Sequence, residues 1–481
     1  MFGRDLMWTR RDLARLGAGL GTTALGSGGC ALSPTVVNSP PSFSLADLER
    51  RTFQWFWDVA NPANGLVPDR WPAKSFCSIA AVGFALNAYA IGAERGWVSR
   101  GEALARTLTT LRFLASSPSG PEPSGRTRHR GFFYHFLDMQ TGARFEQVEL
   151  SSIDTVLFLG GVLFAAEYFD RADPGEAEVR RLASELNNAV DWQWMASEGP
   201  FISMGWGPET GFIKSQWDQY NEASLLYLLA LGSPTHPVDP EIWTRYTARW
   251  DTVWGERWGE TQIFFPPLFG HQYSHVWVDF AGIRDPWLAA HGLDLFDNSR
   301  RATRAQRNYA IANPKAWRGY SADMWGLSAC DGPGDFKTVI GGVEREFFSY
   351  SARGPDDRDD GTLSPPALAA SIAFEPLLVT EALTAIHRLF GAEIYGRYGL
   401  LDCFNPTLTT TPAGVAPLHG RIVEGRCWVD TDYLGIDQGP ILAMIANHRD
   451  GLLWKRMRRS APILAGLRRA GFRGGWLDQA G

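Results

Sequence analysis

Glu222 stands where a polar, aromatic segment, Trp217-Asp-Gln-Tyr220-Asn221, meets an apolar helical run from Ala223 to Leu231. A carboxylate in the first turn of a helix is favoured by the positive end of the helix dipole, a purely structural role. Trp217, Tyr220 and Asn221 add a flat face and neutral hydrogen-bonding groups beside it. That mixture suits sugar rings and hydroxyls, and carboxylic acids cleave the bonds between sugars. A second acidic group, Glu146, Glu149 and Asp154, lies just before or inside the first turn of another apolar run. Crowded acids disfavour joint ionisation, which raises the pKa of one of them, as general acid catalysis requires. Ser151 or Ser152 would cap this helix with Asp154 on its dipole, but such a cap has no use for Glu149. Glycosidic cleavage takes two carboxylates, about 5 Å apart for retention and roughly 6.5–9.5 Å for inversion. The sequence leaves that choice open.

Other residues extend the candidate site. Trp206, Phe212, Trp217, Trp277 and Trp325 fall in expected loops, where they would either stack on sugar rings or pack the loops down. His271, His275 and Asp279 recur every four residues and on a helix would share a metal-binding face. Tyr273, Val276, Trp277 and Val278 favour a strand instead, and no Glu-x-x-His partner stands nearby. Sugar contacts are therefore expected of these three, with buried hydrogen-bonded histidines as the alternative. Neither a metal nor a cofactor is expected. Asp331 opens a turn, Asp331-Gly-Pro-Gly, and Asp430, Asp432 and Asp437 precede a helix with Pro440 near its start. Asp331 and Asp432 are taken as substrate contacts, Asp432 also as the reserve base. Nucleotide-binding, serine-hydrolase and zinc-protease motifs are missing.

These groups need a scaffold of helices. Apolar periodicity predicts helices over Leu45–Val59, Phe76–Gly92, Ser99–Ala115, Ser152–Phe169, Glu176–Met195, Glu222–Leu231, Pro240–Trp254, Ile283–Ala312, Pro366–Phe390, Gln438–His448 and Pro462–Ala470. All-round apolar helices alternate with amphipathic ones. Long glycine- and aromatic-rich connections separate them, and connections of that length are usually functional. Short strands are expected near Gly131–Phe136 and Ile202–Met204. The pattern predicts an all-α chain, an (α/α)6 toroid with a cleft built by its loops. Residues 44–481 would form this one domain, 31–43 a linker and 1–30 an export signal.

Thr9-Arg10-Arg11-Asp12-Leu13, followed by a small-residue run, has the form of a twin-arginine leader. Cys30 is a candidate lipid-attachment site, with ordinary cleavage as the alternative, so the expected location is periplasmic or membrane-tethered. The 481 residues carry a net charge of −6, and removing the leader takes away four arginines and two acids. That balance argues against nucleic acid as a partner. A monomer is expected. Hydrophobic content of 45% and 20 tryptophans are ample for a large core with aromatics left over for binding. Cys77, Cys330, Cys403 and Cys427 leave three disulfide pairings, or free thiols, open.

Tyr220-Asn-Glu222-Ala through Thr235-His236-Pro resembles a signature of the bacterial glucoamylase-like proteins. These include glycoside hydrolase family 144, the endo-β-1,2-glucanases. Glu149-Leu-Ser-Ser-Ile-Asp154-Thr, Phe269 to Asp279, Gly326 to Pro333 and Trp428 to Pro440 resemble further family segments in the same order. The resemblance implies the toroid fold and a β-glucan substrate, β-1,2-linked, and nothing else here bears on the linkage. It also implies that Glu222 matches the family's catalytic glutamate and that Glu146 and Glu149 match its second acidic segment. Glu222 is assigned as general acid and Glu149 as the second carboxylate, with Glu146 and Asp154 beside it. The alternatives are a transglycosylase with the same residues, or a non-catalytic glucan-binding protein, which would not need both acids.

Overall fold

A computed structural model describes residues 43–480; the leader and nearly all of the expected linker lie outside the described residues. In chain order the helices are Leu45–Val59 (α1), Ile79–Glu94 (α2), Arg100–Ala115 (α3), Ser152–Tyr168 (α4), Pro174–Asn188 (α5), Trp192–Met195 (α6), Ser224–Gly232 (α7), Glu241–Ala248 (α8), Tyr273–Trp277 (α9), Pro286–Ala290 (α10), Leu295–Ala312 (α11), Pro365–Ala370 (α12), Pro376–Ile394 (α13), Gly435–Asp450 (α14), Leu452–Met457 (α15) and Ala461–Arg469 (α16). One-sided helices such as α1, α5, α8 and α11 alternate with α2, α4, α7, α12 and α14, which are buried on nearly every side. α1 packs on α2 and α14, α5 on α4, and α8 on α7 through Tyr246 and Tyr227, as amphipathic periodicity requires.

Two glycines set how closely the buried helices approach. A Cβ on Gly161 of α4 would fall 2.0 Å from the carbonyl oxygen of Gly83 in α2, and one on Gly83 would meet Leu157 O at 2.4 Å. Only hydrogen at these positions lets the backbones touch, so the small-residue composition of α2 and α4 is a packing requirement.

The N-terminal ends of the buried helices are tied to one another. Cys77–Ser78, entering α2, pairs with Phe136–Leu137, and Leu150–Ser151, entering α4, pairs with Gly205–Gly207. Trp217 Nε1 donates to Ser152 Oγ at 2.9 Å, and Leu225 N of α7 donates to Ser274 Oγ of α9 at 3.0 Å. Gln272, just before α9, donates to Ala367 O and Ser371 Oγ around α12 at 2.7 and 2.8 Å. Tyr273 OH reaches Ile436 O of α14 at 3.4 Å, and Arg70–Trp71 pairs with Tyr433–Leu434. The starts of α2, α4, α7, α9, α12 and α14 therefore gather in one place, where the long connections also run.

Several expected elements differ. Glu176–Met195 is broken because Asp191 accepts from Trp194 N and caps a new turn, α6. Ile283–Ala312 splits into α10 and α11, each with its own aspartate cap, Asp285 and Asp294, and Gly292 between them at φ 63°. Pro366–Phe390 divides before Pro376, which cannot continue the preceding helix. The segment read as strand-like around Tyr273 is helix α9, so packing overrides its β-favouring residues. The chain is helix-rich but not purely helical: small antiparallel strand pairs stitch its connections, and the expected Ile202–Met204 strand lies at Gly205–Gly207. All four described cysteines are buried free thiols.

Candidate active site

Glu222 sits just ahead of α7 rather than in its first turn. Asn221 Oδ1 accepts from Ala223 N at 2.9 Å and Ser274 Oγ donates to Glu222 O at 2.7 Å, which fixes the backbone on both sides of it. The side chain is 9% exposed, and Oε2 has no hydrogen-bond partner. Burial, reinforced by the charge of Asp154, pushes the Glu222 carboxyl up from 4.5 to about 7. A proton is thus favoured on a carboxyl whose burial outweighs the one backbone hydrogen bond that supports its charged form.

Asp154, in the first turn of α4, accepts from Ser151 Oγ at 2.6 Å, while Ser151 also caps its backbone N–H. Here the capping role and the site role coincide in one residue. His135, which carried no signal in the sequence, joins the two acids: Nδ1 lies 2.9 Å from Glu149 Oε1 and Nε2 3.4 Å from Asp154 Oδ2. Its ring stacks on Phe136 at 3.9 Å, and its backbone N–H donates to Glu149 O. Glu149, His135, Asp154 and Glu222 therefore form one chain of neighbours across the starts of α4 and α7. Glu146 does not join it. It is exposed, at φ 47° in a turn, because the chain reverses there before entering the Leu150–Ser151 strand.

Of the aromatic candidates, Trp206 is partly exposed on its short strand, against His129 and Trp194 at 5.3 and 5.6 Å. Trp217 is 7% exposed and anchored through its indole N–H to Ser152. Trp277 and Trp325 are core residues at 0% and 1% exposure, Trp277 stacking on Phe84 and bonding Asn87. They correct the expectation of sugar contact, since both rings are enclosed in the core. His271 and His275 are 2% exposed and correct it likewise: His271 spans Tyr220 OH and Phe265 O, and His275 meets Ser299 Oγ at 3.0 Å. Burial lowers them to about 4 and about 3, so both are neutral. Tyr220 is buried, with its hydroxyl on His271 Nδ1 at 3.1 Å, which corrects the expectation of sugar contact for it as well. Asp279, also buried, pairs with Arg458 and accepts from Ala281 N, away from the two histidines' partners. Among the described residues these three are not grouped as metal ligands.

Asp331 and Asp432 meet at a second cluster centred on Arg70, whose Nη1 lies 2.6 Å from Asp331 Oδ2 and 3.6 Å from Asp432 Oδ2. Ala73 N donates to Asp432 Oδ1 at 3.2 Å. Asp402 and Asp430 lie behind them, fully buried, and burial together with neighbouring carboxylates raises both, Asp402 to about 6. Arg70 and Asp331 are 261 residues apart, which is why no sequence motif joins them.

The glycoamylase family model, described as "putative glucoamylase", matches residues 214–461. A crystal structure from Bacteroides fragilis NCTC 9343 bearing the same description is 28% identical, with 92% of this chain and all of that chain covered and a TM-score of 0.74. An endo-β-1,2-glucanase from Chitinophaga pinensis, in complex with sophorotriose and glucose, is 25% identical over 90% of this chain and 99% of that one, TM-score 0.73. A curated relative from Parabacteroides distasonis, an exo β-1,2-glucooligosaccharide sophorohydrolase acting at the non-reducing end, is 25% identical over 455 residues, 88% of this chain. The chain spans 57% of that relative's length.

Proposed function

The chain belongs to the glycoamylase family, and from that premise we propose that it is a glycoside hydrolase that shortens β-1,2-linked glucan. The observation that carries the reading is Glu222, a buried carboxyl raised to about 7 beside further acids at gathered helix starts. Support for the linkage comes from the β-1,2-glucan named for the Chitinophaga and Parabacteroides relatives. In this reading Glu222 protonates the glycosidic oxygen as the bond to the leaving sugar breaks. Glu149, held by His135, serves the attack on the anomeric carbon, with Asp154 keeping the proton on Glu222. Asn221 and the partly exposed ring of Trp206 hold sugar hydroxyls and faces, and Arg70 with Asp432 contributes a second polar wall, backed by the buried Asp331. The chemistry draws on no cofactor.

Six one-sided helices, α1, α3, α5, α8, α11 and α13, alternate with six inner ones, and we take this as an (α/α)6 toroid with the site at the inner helices' N-terminal ends. Export through the Arg10-Arg11 leader, with Cys30 as the tether point, and action as a monomer complete the proposal. The test is reducing-sugar release from linear β-1,2-glucan by the mature chain, with Glu222→Gln as the blank. Release above the blank is expected; equal rates would refute the proposal.

A further inference from the structure

Cys330, Asp402 and Cys403 each offer a ligand atom, and the three atoms lie within 4.8 Å of one another. The residues are 0%, 0% and 1% exposed. Their position is built rather than accidental. Ala329–Cys330 pairs with Ser351–Ala352, and Asp430 N donates to Cys403 O at 3.0 Å. Arg353, itself fully buried and paired with Asp360, donates through Nη1 to Cys330 O at 2.8 Å and lies 3.4 Å from Cys330 Sγ. Asp402 Oδ2 accepts from Asp331 N at 2.8 Å, and its carboxyl also meets the side chains of Cys403 and Asp437. Asp430 Oδ2 is unpartnered, and Asp331, Asp402 and Asp430 also bring carboxylate oxygens within 4.8 Å of one another. A buried carboxylate oxygen without a partner is costly, and Asp430 Oδ2 is one beside this cluster.

We propose that Cys330, Cys403 and Asp402 bind a divalent cation of the zinc class as a structural site. Two thiolates and a carboxylate form a donor set for a borderline-soft ion, and the fourth position falls to water. Calcium and magnesium prefer oxygen alone, so the sulfurs select against them. Binding releases the two thiol protons to solvent, including the one that Cys403 directs at Asp331 O at 3.0 Å. The ion would tie the strand at Cys330 to the segment at Cys403, behind the Asp331–Arg70 pair, and it has no step in proton transfer.

The experiment is elemental analysis of the full mature chain, purified reduced and without chelator, then dialysed against zinc. About one tightly held zinc per chain is expected, replaceable by cobalt with a near-ultraviolet sulfur-to-cobalt charge-transfer band. Cys403→Ser should cut the zinc held at least tenfold; if that variant does not fold, the cobalt spectrum of the unaltered chain decides. No bound zinc and no cobalt band, a Cys330–Cys403 disulfide in peptide mapping, or full zinc content in a folded Cys403→Ser protein would each overturn the proposal.

Discussion

Glu222→Gln preserves shape and removes the proton. An acid titrating at 4.5 is protonated in about 0.3% of molecules at pH 7, whereas one titrating at about 7 is protonated in about half. Burial and Asp154 therefore enlarge the donor population by roughly 150-fold at neutral pH. The glutamine variant should lose about 10²–10⁴ in turnover on β-1,2-glucan while an aryl glucoside with a good leaving group is spared. Initial rates across pH should show the parent's activity falling as pH rises through about 7, and Asp154→Asn should move that fall to lower pH. The same proton links to stability. Because the folded carboxyl binds its proton more tightly than the unfolded one, its contribution is fully present below 4.5 and lost as pH rises through about 7. Removing the group should stabilise the variant relative to the parent by up to about 3 kcal/mol at pH 8 and by little at pH 4, measured by denaturant unfolding. A folded Glu222→Gln protein with near-parental activity on glucan would refute the reasoning.

His135→Gln should lower kcat by roughly 10–10² with a smaller change in KM, since it frees Glu149 and Asp154 to move; unchanged kinetics would remove His135 from the site. Trp206→Ala should raise KM about fivefold to tenfold with little loss of stability, whereas Trp277→Ala should cost about 3–5 kcal/mol in unfolding, so reversed effects would exchange their roles. Replacing Arg10-Arg11 with lysines should trap precursor in the cytoplasm on fractionation, and unimpaired export would refute twin-arginine routing.

Where one local rule governed, the sequence was readable. α1 begins and ends where Ser44 and its apolar spacing place it, and Ser99 with Glu102 opens α3 through a capping box. Glu222, Glu149 and Asp154 stood out because they are acids at the starts of apolar runs. Helix lengths failed where a second cap lay inside a periodic stretch, as at Asp191 and Asp294, because periodicity does not register a break that keeps the same face buried. Trp277 and Trp325 could not be told from Trp206 by spacing, since only tertiary packing decides which indole is covered. His135 reaches Asp154 through strand pairing, and Arg70 reaches Asp331 across most of the chain, so neither leaves a local trace.

The most direct measurement is product chromatography after incubating the mature chain with linear glucans of defined linkage, β-1,2, β-1,3, β-1,4 and α-1,4, side by side. The account predicts that β-1,2-glucan alone is shortened, and that Glu222→Gln abolishes the shortening. Cleavage confined to α-1,4-glucan, the substrate a glucoamylase would take, would contradict it.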